Sequence, residues 1–435
     1  MRAKIDPATL QTAAGLPSIK SMNESLVFQQ REVDELRRLG SMVAEIAALP
    51  IQKEKAKLWT LHNDLKTSQP LVFIDPENGW NECIPADTLV CSTPMARVWE
   101  MHLRKQIYWF EIFKDDKVIE PFFDVPYSYS DTGWGVELIK EGGENYGAYK
   151  IKKVIEDYEE DFQKVHFPKI LIDHQESDIV LALANDIFDG ILTVRRKTHW
   201  WWTLGLTWDL INLRGLEDFM CDLVTNPDDL HKLLALLCDG FLDRLDFLHE
   251  GGYLASNNDG TYVGSGGFGY TDELPKYDAH SGKVSTMDMW GFVESQEMVQ
   301  VSPQMYGEFL FPYHKKIMER FGLGCYGCCE SYNMRMDYIK QFPRMRRISV
   351  APWSKWERIE EDLGKNYIAS VKPNPAFLAF SQMDEQSARR EIKHALDCTK
   401  NAIPEIIMKD NNTLGKNPRN ASRWVEIVRE EIDSV

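Results

Sequence analysis

Short apolar runs separated by amphipathic stretches make up most of this chain. From residue 70 the apolar runs lie at 70–74 (PLVFI), 118–125 (VIEPFFDV), 187–195, 252–258, 322–326 (GLGCY), 347–350 (RISV), 367–371 and 405–408 (EIIM). Each is short enough to be a buried strand. Between them, apolar residues recur at helical spacing and predict helices over 95–110, 215–225, 227–249, 303–320, 334–341, 354–363, 384–399 and 419–432. In 303–320, Tyr306, Phe309, Leu310 and Tyr313 share a face. Lys315, Lys316 and Arg320 sit in its last turns, where the helix dipole favours cations, and Gly322 and Gly324 stop it. Asn226-Pro227-Asp228 places proline in a first helical turn. Eight strand candidates, most with a helix behind them, predict an α/β fold of the (β/α)8 TIM-barrel class over 70–435.

Two regions depart from that alternation. Residues 1–69 read as an N-terminal helical extension: a loose arm to about residue 25, then polar helical segments broken by Gly40 and Pro50. Their apolar faces are narrow, and two readings stand, a cover for the barrel or a contact with the partner subunit of a homodimer. Residues 127–177 form a polar insertion after the second strand, with a charged helix at 152–164 and with His166 and His174, read as surface histidines before metal ligands. After 252–258 comes the glycine-rich stretch NNDGTYVGSGGFGYTDELP, which matches neither the P-loop nor the dinucleotide pattern. It reads as a flexible lid or a backbone-lined wall. Trp200-Trp201-Trp202 either lines a ligand mouth or packs the top of the barrel.

Charge narrows the partners. The net charge of −17 argues against nucleic acid or an anionic membrane, because phosphate binding needs clustered Lys and Arg. No apolar run reaches the roughly 18–20 residues that span a bilayer. The N-terminus carries no apolar signal core, so a cytoplasmic protein is expected. In that compartment the eight cysteines are thiols, metal ligands or catalytic groups before they are disulfides.

The chemistry concentrates at strand ends, where parallel barrels place it. The 322–326 strand runs into Cys328-Cys329-Glu330. Neighbouring residues on a strand point to opposite faces, so only one thiol faces the axis unless the strand has ended. Glu330, Glu294 and Asp410 are candidates for metal binding or general-base work, or form ion pairs with Lys372, Lys409 or Arg335. Lys372 and Lys409 end strands and could hold a substrate carboxylate. Asp259, Tyr262 and Tyr270 in the glycine-rich stretch, and Trp290 after it, are candidate substrate contacts.

From about residue 180 onward the chain resembles the uroporphyrinogen decarboxylase superfamily. The residues that carry the likeness are LRGLEDFMCDLVTNPDDLHKLLALLCDGFLDRLDFLHEGG, VSPQMYGEFLFPYHKKIMERFG, RRISVAPWSKWERIEEDLG and VKPNPAFL, in that order. The resemblance implies a (β/α)8 barrel and one of two chemistries: metal-free decarboxylation of a tetrapyrrole, or zinc-dependent methyl transfer to or from a corrinoid protein or a thiol. The decarboxylase branch carries an Arg-rich motif after its first strand, whereas FIDPENGWNE here has no Arg. The methyltransferase branch supplies zinc with a His-x-Cys pair and a second Cys near the last strand. In CYGCCE, Tyr326 stands at the His position and Cys328 at the Cys, while the last strand offers Lys409, Asp410 and Asn411.

The resemblance therefore implies a methyltransferase that moves a methyl group from a small O- or N-methylated substrate to a separate corrinoid protein. The chain has no D-x-H-x-x-G run, so the corrinoid belongs to the partner. Zinc, if used as a Lewis acid, would sit on Cys328 and Cys329, with Glu330, Asp410 or Glu294 completing the set. Glu330, Asp410 and Lys372 are the expected catalytic residues, and Asp259, Tyr262, Trp290, Glu294, Lys409 and Tyr326 the expected substrate contacts. The alternatives are a metal-free decarboxylase of a small carboxylate held by Lys372, Lys409 and Arg195 or Arg196, and a non-catalytic binding barrel.

Overall fold

A computed structural model describes residues 26–142, 149–276 and 282–434. The arm expected over residues 1–25 lies outside them. Eight parallel strands organise the chain: β1 (Leu71–Ile74), β2 (Phe122–Val125), β3 (Thr193–Arg196), β4 (Trp290–Val293), β5 (Leu323–Tyr326), β6 (Met345–Val350), β7 (Ile368–Val371) and β8 (Ile403–Met408). Six pair in the order β1-β8-β7-β6-β5-β4, and β2 pairs with β3 in a separate two-stranded sheet. The strands β1, β4, β5, β7 and β8 are buried at every position. Burial on both faces is why these stretches read as continuous apolar runs.

The strand order is that of a barrel, yet strand pairing does not close it among the described residues. At the β1 edge, side chains replace a neighbouring ladder: Val72 N–H donates to Asp116 Oδ2 (2.7 Å) and Ile74 N–H to Asp115 Oδ2 (3.0 Å). At the β4 edge, Leu204 N–H donates to Phe292 O (2.9 Å). The Asn257 amide there bridges both backbone groups of Trp290. Edge groups are thus satisfied without strand partners, as buried backbone requires.

The expected fourth strand, 252–258, is not a strand, and β4 takes its place. Gly252 ends the preceding helix in the left-handed region (φ +72°). Asn258 then bonds Thr271 and Leu274 with its side chain, an alternative to ladder pairing. The helix expected over 303–320 divides into Pro303–Phe309 and Phe311–Met318, because Pro312 has no N–H to continue the ladder.

The middle of the glycine-rich stretch is buried rather than a lid, and only Asp272, Glu273 and Pro275 at its end are exposed. Residues 262–269 are buried and plug the space inside the strands. A Cβ on Gly264 would stand 2.7 Å from Cys325 Cβ, and one on Gly267 would stand 2.7 Å from Arg347 Nη2. Both glycines have positive φ, so glycine is required twice over.

The N-terminal helices pack against the body of the fold, as the first of their two readings has it. In α1 (Gln30–Ala47), Gly40 lies against Phe188. The last turn of α2 (Pro50–Asn63) buries Trp59, His62 and Asn63 completely. Asn63 donates to Phe268 O and Tyr270 O (both 2.7 Å) and accepts from Arg347 Nη2 (2.7 Å). The insertion contributes two antiparallel pairs, Ser128–Asp131 with Ile170–Asp173 and Lys140–Gly142 with Tyr149–Ile151.

Candidate active site at the strand ends

Strand β5 stops at Tyr326, and Gly327 (φ +86°) turns the chain. Cys328 and Cys329 therefore lie in a turn, where strand alternation no longer applies. Both thiols reach the same place, with their sulfurs 3.6 Å apart. The Glu330 carboxylate staples this turn to the end of β4, accepting from Cys328 N–H (2.9 Å) and Ser295 N–H (2.7 Å). Ser349 Oγ donates to Cys328 O (3.0 Å) and Trp353 Nε1 to Cys329 O (2.6 Å). The thiols thus rest on an immobilised backbone, as a preorganised site requires.

Lys409, at the end of β8, brings its ammonium to the same point. Its Nζ lies 3.8 Å from Cys328 Sγ, 3.3 Å from Ser265 Oγ, 3.5 Å from Asp410 Oδ1 and 3.8 Å from Glu77 Oε1. Ser265 Oγ also donates to Cys328 Sγ (3.3 Å). Asp410 adopts a left-handed backbone (φ +62°), an outlier of the kind found at functional sites. The Cys329 thiol stands 3.9 Å from Asp410 Oδ2.

These contacts separate the titrations. The Cys329 hydrogen bond, the Lys409 charge and the Ser265 hydroxyl pull the Cys328 thiol down to about 7 against its burial. Cys329 moves the opposite way, raised by Cys328 and by burial. Burial works against the Lys409 ammonium, but Tyr262, Cys328, Asp410 and Glu77 hold it protonated. Burial pushes the Glu77 carboxyl up to about 7. A thiol and a carboxyl poised near neutrality flank one buried ammonium, at the C-terminal ends of β1, β5 and β8.

Lys372 adjoins this group. Burial brings its ammonium down to about 8, and Nζ donates to Ser370 Oγ (2.6 Å) and Ser370 O (3.0 Å). Below it, Arg347 forms two hydrogen bonds with Glu405 (2.9 and 3.2 Å), and Ser370 bonds the same carboxylate.

The remaining expected residues are distributed more widely. Tyr262 is buried beside Lys409. Trp290 gives its indole N–H to Gly269 O (2.9 Å) and lies under the Arg347 guanidinium. Glu294 is a buried carboxyl that accepts from Gln296 N–H (2.9 Å), its pKa pushed well up by burial and by Glu330. Tyr326 points away from the strand interior, since Cys325 takes the inward position and neighbours alternate. Its ring stacks on Phe342 and its hydroxyl bonds Ser295 Oγ (3.0 Å). Asp259 lies elsewhere, held by Lys197 Nζ (2.6 Å) and Arg195 Nη1 (3.2 Å). Of the cations named for carboxylate binding, Arg195 is bidentate to Asp124 and Arg196 bonds Pro126 O and Ser177 O. Sequence reasoning missed Glu77 and Ser265. Glu77 carried the signal used for Glu330, an acid just past a strand, whereas Ser265 had none.

The donor set does not suit zinc. Catalytic zinc takes three protein ligands at about 2.0–2.3 Å with one open position. Here Cys328, Cys329 and Asp410 share their space with the Lys409 ammonium, which stands where a cation would be needed. Among the described residues, no three His, Cys, Asp or Glu side chains are arranged to hold a metal. Cys328 is better described as the partner of an internal cation, with Cys329 hydrogen-bonded to it.

No family model matches the chain, and no curated protein matches it. Among solved structures, a methyltransferase from Methanosarcina mazei is similar over 77% of this chain and 85% of that one, with 12% identity and a TM-score of 0.43. No helix among the described residues is long and apolar enough to cross a membrane.

Proposed function

We propose that the protein is a methyltransferase that removes the methyl group of a small O- or N-methylated compound at the Cys328–Lys409 centre and passes it to a corrinoid on a separate protein. The observation that carries the reading is the buried Lys409 ammonium flanked by two proton donors poised near neutrality, Cys328 and Glu77. The resemblance of residues 180–435 to a superfamily that includes methyl transfer supports it.

Methyl ethers and amines leave poorly as anions, so methyl removal needs the departing oxygen or nitrogen stabilised. A fixed ammonium in a water-poor site does this electrostatically. Cys328 or Glu77 delivers the proton that the leaving atom takes up, since an acid near the working pH is the most effective. Lys409 keeps its own charge throughout and acts as the electrostatic group. A reduced corrinoid on a partner, when bound, supplies the nucleophile for the methyl carbon.

The test is an assay of methoxylated and N-methylated compounds with a methyl-free corrinoid protein and a reductant. Demethylated product is expected, and Lys409→Met is expected to lower the rate by about 100-fold or more. No demethylated product from any compound in the panel would sink the reading.

A further inference from the structure

A cleft separate from the Cys328 turn opens beside the seam between β3 and β4. Its floor and walls come from β2, β3, the segment after β3, and residues 255–261. Trp200, Trp201, Phe122 and Met289 give it flat apolar surfaces. This is where the tryptophan run goes: Trp200 and Trp201 face the cleft, while Trp202 stands over Phe292.

Most charges lining the cleft are matched. Asp124 accepts two hydrogen bonds from Arg195 (2.6 and 2.8 Å). Asp259 accepts from Lys197 (2.6 Å) and is ion-paired with Arg195 (3.2 Å), and these contacts hold it ionised at about 2 despite burial. Lys117 is different. Its side chain is more than nine-tenths buried and lines the cleft. Its ammonium lies 4.7 Å from the ring centres of both Trp109 and Phe268. No hydrogen-bond acceptor or ion-pair partner reaches its Nζ among the described residues. Two aromatic faces ease the burial of such a cation but leave its three N–H donors unused, and buried donors are ordinarily satisfied. Glu120 is the other group not locked in an ion pair. Its Oε2 accepts from Gly260 N–H (3.1 Å), and Tyr270 lies beside it.

We propose that this cleft is a second ligand site for a small carboxylate with a flat apolar body, whose anionic oxygens the Lys117 ammonium takes and whose ring the tryptophans flank. The unused donors call for oxygen acceptors, and an anion at hydrogen-bond distance supplies them where Asp115, Glu120, Asp75 and Asp259 act only from farther off. The walls favour a planar body over a flexible chain.

Glu120 makes the binding depend on pH. Burial and the Asp259 charge push it up to about 7, with Arg195 and Lys197 opposing. An anion beside it raises it further, so binding takes up a proton and weakens as pH rises through 7. Burial also lowers the Lys117 ammonium facing it, against the charges of Asp115, Glu120, Asp75 and Asp259. His102 and His199 are held at about 4 by enclosure in the cleft, Asp259 stays ionised, and Tyr270 is raised well above its ordinary value.

Calorimetric titration of the full chain with benzoate tests this without requiring turnover. One saturable site is expected, with affinity falling by about tenfold from pH 6 to pH 8. Lys117→Met is expected to weaken binding by about tenfold or more. Replacing an unpaired buried charge with an apolar isostere leaves the fold intact, which circular dichroism checks. Glu120→Gln is expected to bind with no pH dependence over the same range. Lys409→Met, which disables the proposed methyl transfer, is expected to bind benzoate as the wild type does, so the two proposals fail separately. Absence of saturable binding at pH 6, equal affinity in wild type and Lys117→Met, or a wild-type affinity flat in pH would each overturn the inference.

Discussion

At the scale of single residues, the centre is defined by a thiol and an ammonium 3.8 Å apart in a buried setting. Two like environments would leave both cysteines as ordinary thiols. Instead the hydrogen bond between them and the Lys409 charge favour the thiolate at Cys328 and the thiol at Cys329. Alkylation by iodoacetamide reads this directly, because the thiolate is the reacting form. The rate at Cys328, followed by mass spectrometry of its peptide, is expected to rise with pH to a midpoint of about 7. Lys409→Met removes a stabilising charge and is expected to raise that midpoint by about one unit or more, as is Cys329→Ala. An unchanged midpoint in both variants would show that neither neighbour tunes the thiol.

At the scale of elements, the site depends on the glycine-rich plug. It carries Ser265 to the sulfur and the ammonium, and its backbone fits only because residues 264 and 267 have no side chain. Gly264→Ala adds a Cβ 2.7 Å from Cys325 Cβ at φ +67°. Overpacking and the left-handed backbone together are expected to cost about 2–4 kcal/mol, measured by denaturant unfolding. Gly282→Ala meets nothing within 4 Å and has no positive φ, so it is expected to stay within about 0.5 kcal/mol of wild type. Equal effects of the two substitutions would mean that the plug is not tightly held.

At the scale of the molecule, the N-terminal helices are part of the core as well as its cover. Removing Asn63 alone strands the carbonyls of buried Phe268 and half-buried Tyr270, and leaves Arg347 Nη2 only its 3.2 Å bond to Glu405. Each unpaired group costs about 1–3 kcal/mol, against a whole-protein stability of about 5–15 kcal/mol. Loss of Trp59 from the core adds to this. A chain starting at residue 70 is therefore expected not to fold. Gel filtration and a thermal melt by circular dichroism check this, and a cooperative transition near that of the full chain would refute it.

Where the strands lie and what they carry at their ends was readable from the residues alone. Strands buried on both faces must be apolar runs, and seven of the eight expected positions coincide with or overlap observed strands. Cys328, Cys329, Lys409 and Asp410 were legible for the same reason, since each follows such a run. The exception, 252–258, shows the limit: its apolar residues precede two asparagines whose side chains take over the hydrogen bonding, and a pattern of polarity does not tell a ladder from a side-chain bridge. Which strand ends meet is a matter of the folded chain. Cys328 and Lys409 are 81 residues apart, and Ser265 and Lys409 are 144 apart. The pairing of β1 with β8 and the insertion of the plug bring them within hydrogen-bond reach. The same packing put an ammonium where the sequence led us to expect zinc, and it left Lys117 without a hydrogen-bond acceptor in a cleft of which only the tryptophan run was legible. Charge and hydrogen bonding act over a few ångströms in space, and distance along the chain does not measure that.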